Sequence, residues 1–473
     1  MEPLIGRKSE LTRLQKLTEN ISSSFVAVYG RRRVGKTFLI RKAFPSFDFQ
    51  VTGMANVNTA TQLTNFNIAL KRHDNPSVDR PLAVSWLEAF TQLTALLESK
   101  ETEKKIVFFD ELPWLDTAGS GFLSALEHFW NSWASARTDI LLIVCGSAAS
   151  WIINKLLKNR GGLHNRVTDR IPLQPFTLKE CELFFNSRGA IFDRYQIVQL
   201  YMVMGGIPFY LSQVDPKLSA AQNIDRLCFT ESGILRLEFD NLYHSLFQKA
   251  ERHVQIIEAL SKKAKGLSRE ELLKTSKMPN GGGTTRILRE LEESHFIRKY
   301  KAFGKKDKNS IYQLTDFYSL FYLRWIRGFD PSEQDYWISQ LDTPNQNIWA
   351  GYAFEQVCLE HISKIKSGLS IGGMKTETSA WSGKTGTLGA QIDLLIDRAD
   401  RVINICEMKF SVDPFVISKS YAEDLKRKIR VFKEVTKTRK AVHLILITTW
   451  GIVRNNYSDT LVQNELKMDV LFD

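Results

Sequence analysis

Cysteine is scarce in this 473-residue chain: five residues, at positions 145, 181, 228, 358 and 406, odd in number and never in CxxC spacing. That pattern argues against a disulfide framework and against a zinc knuckle. Long apolar runs are missing as well. Crossing a bilayer takes ~20 consecutive apolar residues, and the longest candidates here, Ile140 to Cys145 and Leu444 to Ile447, have only the length of strands. The chain is therefore not expected to be a membrane protein or to have a membrane partner. The start, Met1-Glu2-Pro3-Leu4-Ile5-Gly6-Arg7, lacks a cationic region followed by an apolar stretch and a small-residue cleavage site, so the expected location is the cytoplasm. No internal repeat is present, and histidines such as His128, His164 and His295 show no ligand spacing. What is present is ordinary globular composition, 43% apolar and 25% charged, in a length that predicts two to four domains at ~100–200 residues each. The formal charge is +12, and residues 246–330 alone hold 18 Lys and Arg against 10 Asp and Glu. Most of the surplus is thus concentrated in one short region, as expected where a polyanion is bound.

From Ser24 the pattern is strand, loop, helix: the apolar Phe25-Val26-Ala27-Val28-Tyr29, a turn rich in Gly and Arg, then a helix through Phe38-Leu39-Ile40. Two more buried-type strands follow, Ile106 to Phe109 ending on Asp110 and Ile140 to Val144 ending on Cys145-Gly146-Ser147, with helical text between. Such alternation predicts an α/β fold with a mostly parallel sheet. Residues 56–81 read as a variable insertion with one helix. Beyond Pro172 and Pro175 the text is mainly helical to about Arg236, interrupted by Gly205-Gly206-Ile207-Pro208, and predicts a helical lid. Helices are next expected at Val254 to Leu260, Ser268 to Leu273 and Thr284 to Glu293, then a hairpin of Phe296–Tyr300 and Ser310–Leu314 around a basic loop, which is a winged helix-turn-helix plan. The last ~130 residues predict a helix around Phe354, strands at Ile392–Ile396, Val402–Met408 and Val442–Thr448, and a helix near Lys419–Val435. The expected boundaries are a core at 1–170, a lid at 171–245, the winged helix at 246–330, a linker at 331–344 and a last domain at 345–473.

Gly30-Arg31-Arg32-Arg33-Val34-Gly35-Lys36-Thr37 satisfies GxxxxGK[ST] between an apolar strand and a helix, the context that gives this match meaning. Gly30 and Gly35 let backbone N–H groups turn toward phosphates, Lys36 neutralises β/γ oxygens, and the Thr37 hydroxyl ligands Mg²⁺. Asp110, at a strand end, would hold the Mg²⁺ shell, and Glu111 would polarise an attacking water, the bland alternative being an exposed loop acid. Ser147 either senses the γ-phosphate or is a plain strand-end serine. On the helix Thr284 to Glu293, the residues Thr284, Thr285, Arg286 and Arg289 are available to phosphates or base edges, with Lys305, Lys306 and Lys308 at the wing tip. A protein-docking role, or a merely solvated charge run, is the competing reading.

In the last domain, Glu407 and Lys409 are two apart on a strand and so share a face. With Asp393 from the neighbouring strand they predict an acid-acid-lysine cluster that holds Mg²⁺ or Mn²⁺, the lysine positioning or helping to deprotonate a water. The alternative is a structural salt bridge.

Ile5-Gly6-Arg7-Lys8-Ser9-Glu10-Leu11, the phosphate loop, Phe108-Phe109-Asp110-Glu111 and Gly205-Gly206-Ile207-Pro208 together resemble the AAA+/STAND-related ATPases of archaea and bacteria, over about residues 1–330. The resemblance implies that Gly6 and Arg7 line an adenine pocket and that Pro208 packs on the nucleotide. It also puts an arginine finger at Arg166, where Asn165 replaces the glycine common in related proteins and Arg170 competes for the role. Gln391-Ile392-Asp393, Glu407-Met408-Lys409 and Glu355 resemble the PD-(D/E)XK nuclease superfamily over 345–473, with Ile392 in place of its proline and Glu355 as its helix acid. Asp397 belongs to no motif element, and Lys419 or Lys426 is a candidate DNA contact. These resemblances imply an α/β multidomain chain: a P-loop NTPase with parallel sheet and helical lid, a winged helix-turn-helix, and an α/β restriction-endonuclease-like domain. The implied function is an ATP-binding, ATP-hydrolysing switch coupled to metal-dependent DNA cleavage or DNA binding, with ATP and Mg²⁺ as cofactors and Mn²⁺ an option at the nuclease-like site. The competing reading is an ATP-gated regulatory or scaffold protein with an inactive nuclease-like domain, and a third is an ATP-dependent transcription regulator. Expected partners are a nucleotide, DNA, and a second copy or another protein.

Overall fold

The computed structural model describes residues 3–74, 81–158, 161–247, 249–304, 310–330 and 335–473. It divides into two compact units, Met1–Pro175 with Leu242–Gln248, and Phe176–Asn241 with Lys249–Asp473.

The first unit is built on five parallel strands, β1 (Ser24–Tyr29), β2 (Phe49–Thr52), β3 (Lys105–Asp110), β4 (Ile140–Gly146) and β5 (Asp169–Pro172), in the order β2-β3-β4-β1-β5. β4 is buried along its whole length, the signature of a central parallel strand covered on both faces. Strands β2 and β5 carry no periodicity to find. Each has four residues, and β5 is the charged edge sequence Asp-Arg-Ile-Pro. The insertion after β2 does hold a helix, Thr59–His73, capped by the Asn58 side chain accepting from Thr61 N–H. Together with helix Trp86–Glu98 it places Phe66, Trp86 and Phe90 against Phe109 of β3 and Phe122, with ring centroids from 4.8 to 6.4 Å apart. This aromatic cluster fixes β3, and with it Asp110.

In the second unit, helices Leu178–Ser187 and Ala220–Cys228 each begin with a capping box, Thr177 with Glu180 and Ser219 with Gln222. Three further helices, Ala250–Ser261, Arg269–Ser276 and Gly282–Glu293, precede a small antiparallel sheet of β6 (Leu267–Ser268), β7 (Ile297–Tyr300) and β8 (Ile311–Leu314), ordered β6-β8-β7. The C-terminal sheet has five strands, β9 (Thr376–Thr385), β10 (Leu388–Arg398), β11 (Val402–Lys409), β12 (Ala441–Thr448) and β13 (Val462–Lys467), ordered β13-β12-β11-β10-β9. Pairing is antiparallel from β9 to β11 and parallel from β11 to β13. Helix Lys419–Thr436 covers one face through Leu425, Val431 and Phe432 packed on Ile392, Leu395, Ile403 and Ile405. The helical region after Phe176 is tied to this domain: Leu178 N–H donates to His361 Nε2 at 3.1 Å, and the Tyr195 ring stacks on Phe410 at 4.8 Å. No helix among the described residues is long and apolar enough to cross a membrane.

Candidate functional site

Because β1, β3 and β4 run parallel and in register, Tyr29 beside Gly146 and Phe109 beside Val144, their C-terminal ends deliver side chains to one crevice. The loop after β1 enters it at Gly30, φ 153°, where a Cβ would lie 2.2 Å from the Leu173 carbonyl oxygen, so a side chain is excluded by contact. It leaves at Gly35, whose φ of 90° turns the chain into helix Lys36–Ala43.

Lys36 is buried, and its ammonium donates to Gly30 O at 3.1 Å, Arg31 O at 2.8 Å and Ser147 Oγ at 3.0 Å. Burial pushes its pKa below the ordinary lysine range, against the upward pull of neighbouring Cys145, Glu111 and Asp110. Thr37 Oγ1 lies 3.0 and 3.2 Å from the two Asp110 oxygens. A hydroxyl and a carboxylate side by side form a hard-oxygen donor pair suited to Mg²⁺ with water and phosphate completing the shell. Glu111 has a left-handed backbone, φ 46° and ψ 46°, and accepts Ser147 Oγ–H at 2.6 Å and Ser147 N–H at 3.1 Å. The structure thus brings together Gly30, Gly35, Lys36, Thr37, Asp110, Glu111 and Ser147. Cys145 belongs with them: its thiol donates to Asp110 Oδ1 at 2.8 Å, and burial holds it protonated. Nothing in the sequence marks that cysteine as different from the other four.

Gly6 and Arg7 both have positive φ, 63° and 55°, and start helix Lys8–Lys16; the buried Arg7 guanidinium donates to Gln174 O. Asn165 also has positive φ, 55°. This explains how it stands where a glycine is common, since Asn tolerates that region better than most residues. Arg166 beside it is exposed. Pro208 is the first residue of helix Pro208–Ser212 in the second unit.

In the C-terminal sheet, β10 carries a bulge between Ile392 and Leu395, one extra residue relative to β9. Such bulges re-aim side chains, and this one includes Asp393. Glu407 and Lys409 share the face turned to helix Lys419–Thr436, as their spacing predicts. Glu407 is buried, accepting Lys428 Nζ at 2.7 Å and Tyr421 O–H at 3.1 Å, while Lys409 Nζ sits 4.7 Å from the Tyr421 ring centroid. Asp393 is bonded by Gln391 Nε2 at 3.3 Å and paired with Lys265 Nζ at 3.3 Å. Glu355 lies in the field of Asp393 and Glu407, and burial followed by those charges pushes its pKa up to about 8.

Among the described residues no group of three or more His, Cys, Asp or Glu is arranged to hold a metal ion. As the side chains stand, Lys265 pairs with Asp393 and Lys428 with Glu407. Lys428 and Tyr421 are seven apart on one helix, a spacing legible in the sequence, whereas Lys265 comes from 128 residues away. Asp397 is a plain ion-pair residue, bonded to Lys440.

On helix Gly282–Glu293, Arg286 and Arg289 are exposed, but Arg286 is engaged with Glu290 at 2.7 Å. Thr284 is buried and donates to Pro279 O, so it is removed from the expected contact surface. Lys305, Lys306 and Lys308 lie outside the described residues.

Residues 4–214 match the family model of an ATPase domain found predominantly in Archaea. An uncharacterized protein of Methanocaldococcus jannaschii is 25% identical over 368 residues, 76% of this chain and 77% of its own length. A Walker-type ATPase of Pyrococcus abyssi superposes with a TM-score of 0.51 at 17% identity, over 68% of this chain and 96% of its own, a likeness of fold.

Proposed function

From the premise that the chain carries a P-loop ATPase domain, we propose that it binds and hydrolyses ATP and that nucleotide state controls a nucleic-acid effector in the second unit. The observation that carries the first part is the convergence of Lys36, Thr37, Asp110, Glu111 and Ser147 on one crevice within hydrogen-bonding distances. On ATP binding, Lys36 exchanges its loop carbonyls for phosphate oxygens, and the N-terminus of its helix faces the same charge. Thr37 and Asp110 would hold Mg²⁺, which when bound would supply positive charge against the phosphates. Glu111 orients and polarises the water, and Ser147, bonded to both Lys36 and Glu111, couples the phosphate side of the site to the base. Gly6 and Arg7 hold the adenine. Arg166 is the candidate arginine finger: if it acts in trans, specific activity rises with protein concentration, whereas a cis role gives constant specific activity.

For the second unit we read residues 246–330 as a winged helix that engages DNA and 345–473 as a nuclease-like domain with Asp393, Glu407, Lys409 and Glu355 at its centre; residues 1–170, 171–245 and 331–344 are core, lid and linker. Order along the chain and shared-face placement of Glu407 and Lys409 support this. The experiment is cleavage of plasmid and single-stranded DNA with Mg²⁺ or Mn²⁺, with and without ATP, beside Glu407→Ala. Metal-dependent cleavage lost in the variant supports a nuclease; none in wild type, or cleavage that survives the change, removes it. The scaffold reading has its own observation, the closed ion pairs on Asp393 and Glu407, and intact ATP hydrolysis without cleavage would favour it.

A further inference from the structure

Hydrogen bonding of β7 continues past Tyr300. Ala302 forms a parallel bridge with Ala380 of β9, Phe303 N–H donates to Ala380 O at 2.8 Å, and the Phe303 ring lies 5.4 Å from Phe432 in the C-terminal core. The three-helix module is thereby joined to the C-terminal sheet, and along the seam runs a cleft of about 720 Å³. Lys263, Lys265, Arg269 and Asn280 line it from the module, Ser382 and Gln391 from the sheet. Two of these lining residues, Lys265 and Gln391, each reach Asp393 at 3.3 Å.

The lysine is placed by folded backbone. Tyr300 O–H donates to Lys265 O at 2.8 Å, Gln313 Nε2 donates to Ala264 O at 2.9 Å, and Gly266, φ 83°, lies against Tyr312 so closely that a Cβ would meet its carbonyl oxygen at 2.4 Å. Arg269 is held in turn by Asn280 and Thr285. Two acids share the wall, Glu270 and Glu271, but Glu271 is engaged by Ser268 N–H and Lys263, each at 2.8 Å.

We propose that this cleft binds a single nucleic-acid strand by its phosphates and leads it to Asp393, with Lys263 and Lys265 as the backbone contacts. The proposal rests on the nucleic-acid part of the reading above and relocates the interface from the exposed helix Gly282–Glu293 to the seam. Lys265 exchanges Asp393 for a phosphate when the strand enters. A volume in the ~300–1,000 Å³ range of small-ligand clefts has room for a short stretch of one strand's backbone and is too small to enclose a duplex.

The test uses the full chain and a fluorescein-labelled single-stranded oligonucleotide, followed by anisotropy across a salt series in EDTA without ATP. Lys263 and Lys265 have side chains 51% and 43% exposed, so the pair Lys263→Gln/Lys265→Gln keeps the fold, checked by an unchanged melting temperature. Losing two single-strand phosphate contacts lowers the log–log salt slope by about 1.4 and weakens binding roughly tenfold. The pair Arg286→Gln/Arg289→Gln leaves both unchanged. The proposal is overturned by no wild-type binding, by an unaltered slope in the lysine pair, by a loss confined to the arginine pair, or by displacement of the strand by polyglutamate as effectively as by unlabelled oligonucleotide. Because this binding assay holds no metal it is independent of cleavage: binding that depends on the lysines, together with absent cleavage in the separate Mg²⁺ and Mn²⁺ assay above, would sink the nuclease reading alone.

Discussion

Glu111→Gln separates a catalytic base from a structural acid. In the wild type the two carboxylate oxygens accept two donors from one residue, Ser147 Oγ–H at 2.6 Å and Ser147 N–H at 3.1 Å. Glutamine offers one acceptor and one NH₂ group: its oxygen still accepts one of the two donors, and its NH₂ keeps the second contact only if the hydroxyl turns to accept, so at most one bond is lost. Folding should therefore weaken by only about 1 kcal/mol, the net value of one hydrogen bond. A positioned base contributes ~10²–10⁴ in rate, about 2.7–5.4 kcal/mol of barrier. The two effects differ enough to be read apart: phosphate release at saturating ATP should fall at least a hundredfold, while ATP-induced stabilisation in a thermal melt stays close to that of the wild type. Turnover within threefold of wild type would refute the assignment and return Glu111 to a loop acid held by Ser147. Loss of turnover accompanied by loss of ATP stabilisation would show instead that Glu111 maintains the binding site.

Lys36→Ala removes the only ammonium bonded to both the loop carbonyls and Ser147 among the described residues, and should abolish the stabilisation by ATP, about 2.7 kcal/mol at a ligand excess of 100 Kd; the measurement is a melt with and without Mg²⁺ and ATP. Gly30→Ala sets a Cβ 2.2 Å from Leu173 O, and should cost roughly 2 kcal/mol or more and impair ATP binding, read by denaturant titration and the same ATP melt. Asp139, paired first with Arg137 and then with the buried Lys105, has its carboxyl pKa held well below the usual range. Its stabilisation is therefore present above the ordinary carboxylate pKa and is lost as pH falls. Asp139→Asn should lower stability by roughly 2 kcal/mol at pH 7, since it removes the charge that Lys105 and Arg137 face and leaves the Thr102 carbonyl as the other acceptor for Lys105, and the deficit should shrink below about pH 4.

The sequence by itself was enough for the strand-loop-helix around Gly30 to Thr37, for Asp110 at a strand end, and for Glu407 and Lys409 on one face, because each depends on periodicity or spacing within a few residues of chain. Capping boxes such as Ser268 with Glu271 are equally local. Short strands were beyond it: β2 and β5 have too few residues to show alternation, and they form because the sheet beside them offers a ladder. Tertiary structure alone decided which side chains compensate the acids. Lys265 and Asp393 are 128 residues apart, and neither the bridge at Ala302 that joins their domains nor the bulge that includes Asp393 leaves a pattern in the text. The burial of Thr284 and the Cys145 thiol on Asp110 were likewise settled by packing. Local composition sets which element a segment forms; which charge meets which depends on chain segments brought together only when the core closes.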